Sequence, residues 1–422
     1  MSADDAHHLF EEMRDPDYIS ALPDYILQDI LSLLPAPEAV QTSVLARRWR
    51  HLWRSTMGLR LVARHGPGPA RDLRRFIGNL FNQRGKRTDL HSVEISFDEH
   101  YGNDLSYVGF WIRSAVMCKV RSLTIHIPWS EYLYLDGYDV KIASPHLRTV
   151  DLVGVGIGGG FLDFARCPAL EDLKMKECHI CVAKISSNSL KHLSITDCAF
   201  QYHRRVRVSA PGLVSLKLDV SSGMTPSFEN MVLLETACVN LRSYCTDICC
   251  DYVESGVFCG ADNTCKNCGN YSNPVLLRGI SSARRLELIS ESPNFIFARD
   301  LKHRPIFRNL KTLLLNEYWC EGPGCGRLAC ILKNSPVLEK LTLQLFSKGP
   351  KHNVEMIGSC MTMEGPSAIS EHLKIVEVKC NEVDKRILEV LKFLHAFNIR
   401  FGSVRARRSE LISLLFRNAR KT

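Results

Sequence analysis

Residues 17–54, DYISALPDYILQDILSLLPAPEAVQTSVLARRWRHLWR, decide the N-terminal architecture of this chain. Apolar side chains recur at helical spacing and predict a helix with one apolar face. They are Leu22, Ile26, Leu27, Ile30, Leu31 and Leu34. Pro23 and Asp24 suit a helix start, because an N–H is dispensable there and a carboxylate is favoured. Pro35 and Pro37 end the helix, since proline cannot continue its hydrogen bonds.

A second apolar face follows these prolines, among several arginines. It predicts a second helix with Val40, Val44, Leu45, Trp49, Leu52 and Trp53 on one side. Two short helices are too small to bury both apolar faces in a core of their own. We therefore expect this unit to dock on another surface, either the rest of its own chain or a partner.

The stretch resembles the F-box: a Leu-Pro start, an Ile-Leu pair, a Leu-Pro break and a Val-Leu-x-x-x-Trp-x-x-Leu-Trp segment. F-box proteins bind a Skp-family adaptor, which links them to a cullin-based ubiquitin ligase. The resemblance implies adaptor binding by the matching residues. These are Leu22, Pro23, Ile26, Leu27, Ile30, Leu31, Leu34, Pro35, Val44, Leu45, Trp49, Leu52 and Trp53.

The composition of the chain is that of an ordinary globular protein. Its 422 residues, 45% hydrophobic and 23% charged, are typical of a soluble protein of two or three domains. No apolar run is long enough for a bilayer, and the acidic N-terminus lacks the apolar core of a signal peptide. We expect cytoplasm and/or nucleus, no membrane partner, and mostly reduced thiols among the 17 cysteines.

The net charge of +9 is local. Segments 41–60 and 405–422 each carry an excess of five positive charges, which leaves −1 for the remainder. A nucleic-acid-binding surface that extended over the body would need an excess of basic residues there. The distribution therefore argues against a nucleic-acid partner.

A repeated phrase runs through the middle: an apolar residue followed at +3 and +5 by two more. Clear copies begin at residues 147, 170, 190 and 213, with spacings of 23, 20 and 23. Further copies begin at 120, 234, 283, 310 and 338. This period is typical of leucine-rich repeats, in which each unit supplies one short strand and a return segment. The phrase predicts an α/β solenoid of parallel strands with helical or irregular return segments and capped ends.

With these repeats the chain is similar to plant F-box/leucine-rich-repeat proteins. Cys178 and Cys198 fall near the asparagine position of more regular repeats. Residues 371–401 resemble the FBD module, a strand and a turn followed by an amphipathic helix; the Pro-Val-Leu phrase and closing strand of that module are not found. The apolar face of the helix carries Ile387, Val390, Leu391 and Leu394.

The expected organisation has five parts. They are an F-box (16–60), a linker with first irregular repeats (61–119), a leucine-rich-repeat region (120–350) with a Cys-rich insertion at about 240–275, an FBD-like module (366–402) and a basic tail (403–422). We expect the tail to form a capping helix. A membrane-surface helix and a nuclear-import signal are the alternatives.

The Cys-rich insertion is the one candidate metal site. Zinc needs four soft ligands, commonly in two close pairs. The candidate first pair is Cys245 and Cys249, with Cys250 and Cys259 as the alternative, and the second pair is Cys265 and Cys268. Only the second pair has CxxC spacing, so free thiols are favoured and no cofactor is predicted. The other CxxC, Cys178–Cys181, ends a repeat strand and predicts core packing.

No catalytic motif is found. Residues 154–160 match GxGxxG but lack the helix that a dinucleotide site requires, so we interpret them as a turn. GxSxG, HExxH and GxxxxGK[ST] are absent from the sequence. The sequence therefore predicts a non-catalytic substrate-recognition subunit of a cullin-based (SCF-type) ubiquitin ligase, with an unknown protein substrate on the repeats. The alternative is a non-ligase scaffold or ligand sensor.

Overall fold

The structure is a computed structural model. It describes residues 18–19, 21–63, 70–84, 89–97, 108–127, 134–136, 142–229, 231–245, 247, 275–291, 296–320, 325–346, 372–380, 385–396 and 403–406. The helices are α1 (Asp24–Ser32), α2 (Ala36–Gln41), α3 (Ala70–Arg84), α4 (Val108–Met117), α5 (Ile296–Leu301), α6 (Gly326–Lys333) and α7 (Lys385–Ala396). None of these helices is long and apolar enough to cross a membrane within the described residues.

The strands follow the repeat phrase. They are β1 (Gly58–Ala63), β2 (Ser92–Phe97), β3 (Ser122–His126), β4 (Tyr134–Asp136), β5 (Thr149–Val153), β6 (Gly156–Gly159), β7 (Asp172–Lys176), β8 (His179–Val182), β9 (Lys184–Ser186), β10 (His192–Phe200), β11 (Arg207–Ser209), β12 (Ser215–Gly223), β13 (Ser227–Phe228), β14 (Thr236–Cys245), β15 (Arg285–Ser290), β16 (Thr312–Asn316), β17 (Lys340–Leu345), β18 (Ile375–Cys380) and β19 (Ser403–Ala406).

One parallel sheet carries the chain from end to end. Its order is β1-β2-β3-β5-β7-β10-β12-β14-β15-β16-β17-β18-β19. The middle apolar residue of each phrase pairs with its counterpart in the next repeat. This ladder is Leu123, Val150, Leu173, Leu193, Leu216, Ala237, Leu286, Leu313, Leu341 and Val376. The predicted repeat and the predicted architecture, a helical N-terminal unit followed by a parallel-strand solenoid, are confirmed.

The ladder residues form the core, because successive side chains of a strand point to opposite faces. Each ladder residue is at most 3% exposed, and most of the alternating residues on the other face remain accessible. Each repeat therefore covers the apolar face of its neighbours, as a solenoid requires.

Repeat length decides how the chain returns between strands. In the middle, the paired residues Thr149, Asp172, His192 and Ser215 are 23, 20 and 23 residues apart, and short strands provide the return. These include β9, β11 and β13, which form a small sheet of their own. Where the step is longer, as from Thr312 to Lys340, a helix provides it. In the middle repeats the returns are of the irregular kind and contain these short strands, since about fifteen residues leave too little chain for a packed helix and its loops.

Two thiols occupy the predicted asparagine position and tie repeats together. Cys178 Sγ donates to the carbonyl oxygen of Leu152 at 3.4 Å, and Cys198 Sγ donates to that of Met175 at 3.5 Å. Each bond reaches the preceding repeat. Cys178 is buried, as predicted for core packing, whereas Cys181 of the same CxxC is only partly buried, because it lies on the outer side of its strand.

The N-terminal unit differs from prediction in its second half. The expected second helix is α2, a 3-10 turn (Thr42–Val44) and a 3-10 helix (Arg47–Ser55). Ala46 has extended backbone angles (φ −156°, ψ 161°) and separates the last two pieces. Pro35 and Pro37 begin α2 as well as ending α1, because proline is tolerated in the first turn of a helix.

This unit caps the solenoid at β1. Pro35 forms a parallel bridge with Arg60 on β1. Ser32 Oγ accepts a hydrogen bond from the Gly58 N–H at 3.1 Å, and Arg60 Nη1 donates to the Leu33 carbonyl at 2.8 Å. The open backbone edge of the first strand is therefore covered by the helical unit.

The C-terminal module caps the other end. β18 pairs with β17, and Ile387, Val390 and Leu394 of α7 are buried, with Leu391 packed partly against the core. The sequence analysis missed a closing strand and placed residues 403–406 in the tail. β19 pairs with β18 there, although the Pro-Val-Leu phrase is absent. Residues 407–422 of the predicted capping helix lie outside the described residues.

The glycine run is part turn and part strand. Gly154 has φ +71° and makes the predicted turn, whereas Gly156–Gly159 form strand β6.

The candidate zinc site lies mostly outside the part of the chain that the structure describes. Of the candidate zinc ligands, Cys249, Cys265 and Cys268 lie outside the described residues. Cys245 is buried on β14, where its thiol donates to the Val220 carbonyl at 3.6 Å.

Candidate functional site

Exposed apolar side chains concentrate in the N-terminal unit. Of seventeen exposed large apolar side chains in the described part of the chain, eight lie between residues 18 and 57. They are Tyr18, Ile19, Tyr25, Ile30, Leu33, Val44, Leu45 and Met57. Scattered exposed apolar residues need no explanation, but such a cluster on one small unit indicates an interaction surface.

Helix α1 has two different apolar faces. Leu27 and Leu31 are four residues apart, share one face and are buried. Tyr25 and Leu33 are eight residues apart, share the opposite face and are exposed. The helix therefore packs with one face and presents the other.

Val44 and Leu45 form the most exposed apolar pair of the unit, with 86% and 69% of their surface accessible. They lie between α2 and the 3-10 helix of Arg47–Ser55. Arg48 fixes this segment to α1, because its Nε and Nη2 donate to Asp24 Oδ1 at 2.8 and 2.6 Å. Arg48 Nη2 also donates to the Leu22 carbonyl at 2.6 Å. The exposed pair is therefore held beside the start of α1.

The structure divides the predicted adaptor-binding residues into three groups. Exposed are Pro23, Ile30, Val44 and Leu45. Partly buried are Leu22, Ile26, Leu34 and Pro35. Buried in the core are Leu27, Leu31, Trp49, Leu52 and Trp53. The geometry brings the exposed group to the outer surface and gives the buried group a supporting position.

The sequence reasoning omitted Tyr25 and Leu33 because both fall outside the helical stripe. An apolar residue on the polar side of an amphipathic helix is the signal that could have identified them.

Basic side chains border the apolar surface. Arg47, Arg50 and His51 are exposed on the 3-10 helix, whose intervening residues Trp49 and Leu52 are buried. Charged residues around an apolar centre favour a partner of complementary charge and increase the rate of encounter. The surface therefore suits a partner with an apolar groove and an acidic border.

The outward face of the solenoid sheet is a second, polar surface. Lys174 and Lys217 are exposed there on β7 and β12. Arg242 on β14 bridges Asp197 at 3.0 Å and Asp219 at 2.9 Å. The hydrogen bond with Asp219 raises the pKa of the Arg242 guanidinium, so this group is positively charged at neutral pH. This face offers polar contacts spread across several repeats.

A helical F-box-like cap with an exposed apolar surface, joined to a leucine-rich parallel solenoid, defines the class of F-box/leucine-rich-repeat proteins. The family model of the F-box domain matches residues 19–60. The MEIOTIC F-BOX protein MOF of Oryza sativa subsp. japonica is 28% identical over 84% of this chain and 75% of its own length.

Two Arabidopsis thaliana relatives are named as proteins that combine an F-box, an FBD module and leucine-rich repeats. One F-box/FBD/LRR-repeat protein is 28% identical over 86% of this chain and 83% of its own length. Another is 26% identical over 95% of this chain and 96% of its own length. The chain thus carries an F-box domain and is a homologue of plant F-box/FBD/LRR-repeat proteins over most of its length.

Proposed function

We propose that this chain is the substrate-recognition subunit of a cullin-based (SCF-type) ubiquitin ligase. The F-box binds a Skp-family adaptor, which connects the chain to the cullin, and the solenoid binds a target protein in the cytoplasm or nucleus. The single observation that carries the proposal is the cluster of exposed apolar side chains on the F-box.

The docking residues of this proposal are the exposed apolar side chains of the F-box: Tyr25, Ile30, Leu33, Val44 and Leu45. Buried residues such as Leu31 and Trp53 support this surface from inside. Large apolar side chains at the centre of an interface contribute most of the binding free energy. The basic border formed by Arg47 and Arg50 adds specificity for an acidic adaptor.

The chain itself contributes binding and geometry, and the bond chemistry belongs to its partners. The outward face of the sheet holds the target while the F-box holds the adaptor. Joining the two sites in one rigid chain raises the effective concentration of the target's lysines at the ubiquitin-carrying enzyme. In this function the chain needs no cofactor.

The test is co-purification of the full chain with a Skp-family adaptor, comparing the double variant Val44→Asp/Leu45→Asp with the original sequence. The matched control is Val232→Asp/Leu233→Asp, since Val232 and Leu233 are also adjacent and are 61% and 58% exposed. Both variants add two negative charges to exposed apolar pairs. We expect a stoichiometric adaptor complex for the original chain and the control, and at least a tenfold loss of adaptor for the F-box variant.

A folded chain that binds no Skp-family adaptor would contradict the proposal and favour the alternative, a scaffold or ligand sensor outside a ligase. Equal binding by both double variants would place the adaptor elsewhere on the chain. Proteins retained beside the adaptor would be the candidate substrates.

A further inference from the structure

The glycine run and the second CxxC motif meet on a lateral face of the solenoid. β6 pairs with β8 so that Gly156 lies beside His179 and Gly158 lies beside Cys181. On the other side of β6, Gly158 pairs with Asp136 of β4. Two features that appear unrelated in the sequence therefore form one surface, which the proposed function does not use.

His179 and Cys181 lie on the outer side of β8. Ile180 and Val182 alternate with them and are completely buried, whereas His179 and Cys181 are half-buried. Cys181 Sγ is 3.5 Å from Nε2 and 3.8 Å from Nδ1 of His179. The thiol and the imidazole therefore form a close pair that solvent can reach.

The other cysteine of the motif is not a second reactive thiol of this pair. Cys178 is buried and donates its thiol hydrogen to the Leu152 carbonyl. It thus belongs to the core, and Cys181 belongs to the outer surface. The CxxC spacing here does not produce a dithiol of the kind that closes into a disulfide.

The imidazole of His179 is unprotonated near neutral pH. Partial burial lowers the pKa of His179 below its usual value, so the ring is neutral in that range. A neutral imidazole next to a thiol acts as a general base, and the thiolate is the nucleophilic form of cysteine. Cys238 on β14 is a half-buried thiol with no such histidine contact in the described part of the chain, and burial raises its pKa to about 11.

The surface beside the thiol is open. Gly158 has no side chain, and a Cβ atom at that position would meet Asp136 Oδ2 only at 4.0 Å. A small molecule can therefore approach Cys181 across β6. Within the described residues no group of three or more His, Cys, Asp or Glu could hold a metal ion, so the pair is not part of a metal site there.

We propose that Cys181 is a modification site that forms a mixed disulfide with a low-molecular-weight disulfide, with His179 as the proton acceptor. His179 takes the thiol proton, and Cys181 Sγ attacks one sulfur of the small disulfide. A new S–S bond forms, the original S–S bond breaks, and the departing thiolate takes the proton from His179. Electrons balance, because one disulfide and one thiol are exchanged for another disulfide and another thiol.

The test treats the reduced full chain with oxidised glutathione and follows each cysteine by peptide mapping with tandem mass spectrometry. Cleavage after Lys176 and Lys184 gives one peptide that contains both Cys178 and Cys181. We expect Cys181 to react about tenfold faster than Cys238, and His179→Ala to slow Cys181 about tenfold. Cys178 in the same peptide reports unfolding, since it is protected only in the folded chain.

Equal rates at Cys181 and Cys238 would overturn the proposal. So would an unchanged rate at Cys181 in His179→Ala while Cys178 stays protected. If Cys178 reacts in that variant, the variant has lost its fold and its rate at Cys181 is not informative. The variant Gly158→Val then tests the proposal, because it keeps His179 and places a branched side chain beside the Cys181 thiol. A slower Cys181 in Gly158→Val supports the proposal, and an unchanged rate contradicts it.

Discussion

Arg84 Nη1 donates a hydrogen bond of 2.7 Å to the carbonyl oxygen of Trp53. Arg84 is the last residue of α3 in the solenoid, and Trp53 lies in the 3-10 helix of the F-box. The same guanidinium donates to the hydroxyl and the carbonyl of Thr56. Burial lowers the pKa of Arg84 to about 10, which still leaves the group charged at neutral pH. One buried cation therefore joins the F-box domain to the repeats.

Replacing this cation should loosen the junction. We expect Arg84→Met to lower the free energy of unfolding by about 2–4 kcal/mol, because buried carbonyl oxygens lose a charged donor. Urea unfolding followed by circular dichroism measures the change. The control is Arg75→Met on the same helix, where the side chain is exposed and we expect less than about 0.5 kcal/mol. Similar losses in both variants would argue against a specific role for Arg84.

Leu31 and Leu33, near the end of α1, allow the contribution to folding stability and the contribution to adaptor binding to be measured separately. Leu31 is buried, so Leu31→Ala should cost about 2–5 kcal/mol of folding stability through loss of burial and a cavity. Leu33 is exposed, so Leu33→Ala should change stability by less than about 0.5 kcal/mol and weaken adaptor binding about tenfold. Urea unfolding of each variant gives the free energy of unfolding, and titration with the adaptor gives the binding affinity. A Leu33 variant with full adaptor affinity would remove that residue from the docking surface.

One glycine is required by the backbone. Gly223 ends β12 with φ +85°, and a Cβ there would lie 1.9 Å from the Phe200 carbonyl oxygen. We expect Gly223→Ala to destabilise the fold by about 2–4 kcal/mol. Gly78 in α3 has no atom within 4 Å of its hypothetical Cβ, so Gly78→Ala should stabilise by about 0.5–1 kcal/mol. Thermal unfolding of both variants checks the opposite signs.

A buried carboxylate organises the chain where it returns from the Cys-rich insertion. Asp300 on α5 accepts hydrogen bonds from the backbone N–H groups of Val275, Leu276 and Leu277, at 3.0, 2.6 and 2.8 Å. Asp300→Asn replaces one accepting oxygen with a donor that faces these N–H groups. We expect a loss of about 2–3 kcal/mol in unfolding free energy, with faster amide exchange at residues 275–277. Unchanged exchange would show that other contacts hold this turn.

Periodicity carried most of the information that the sequence contained. The phrase with apolar residues at +3 and +5 predicted the inward ladder from Leu123 to Leu341, because a solenoid strand can bury only alternate side chains. The Leu-Pro signals predicted α1 and its boundaries, since the effect of proline on a helix is local. Both predictions depend on neighbouring residues alone.

Tertiary structure decided what short-range patterns cannot express. Leu31 and Leu33 are equally apolar in the sequence, yet only packing against the rest of the unit determines that one is buried and the other exposed. The pairing of Ser403–Ala406 with β18 depends on a neighbouring strand that begins 28 residues earlier. The contact of Arg84 with Trp53 and the meeting of Gly158 with Cys181 likewise join distant segments. The sequence by itself determined the repeat and the class of module; the folded chain decided which residues face a partner, because burial depends on what the rest of the chain places beside each residue.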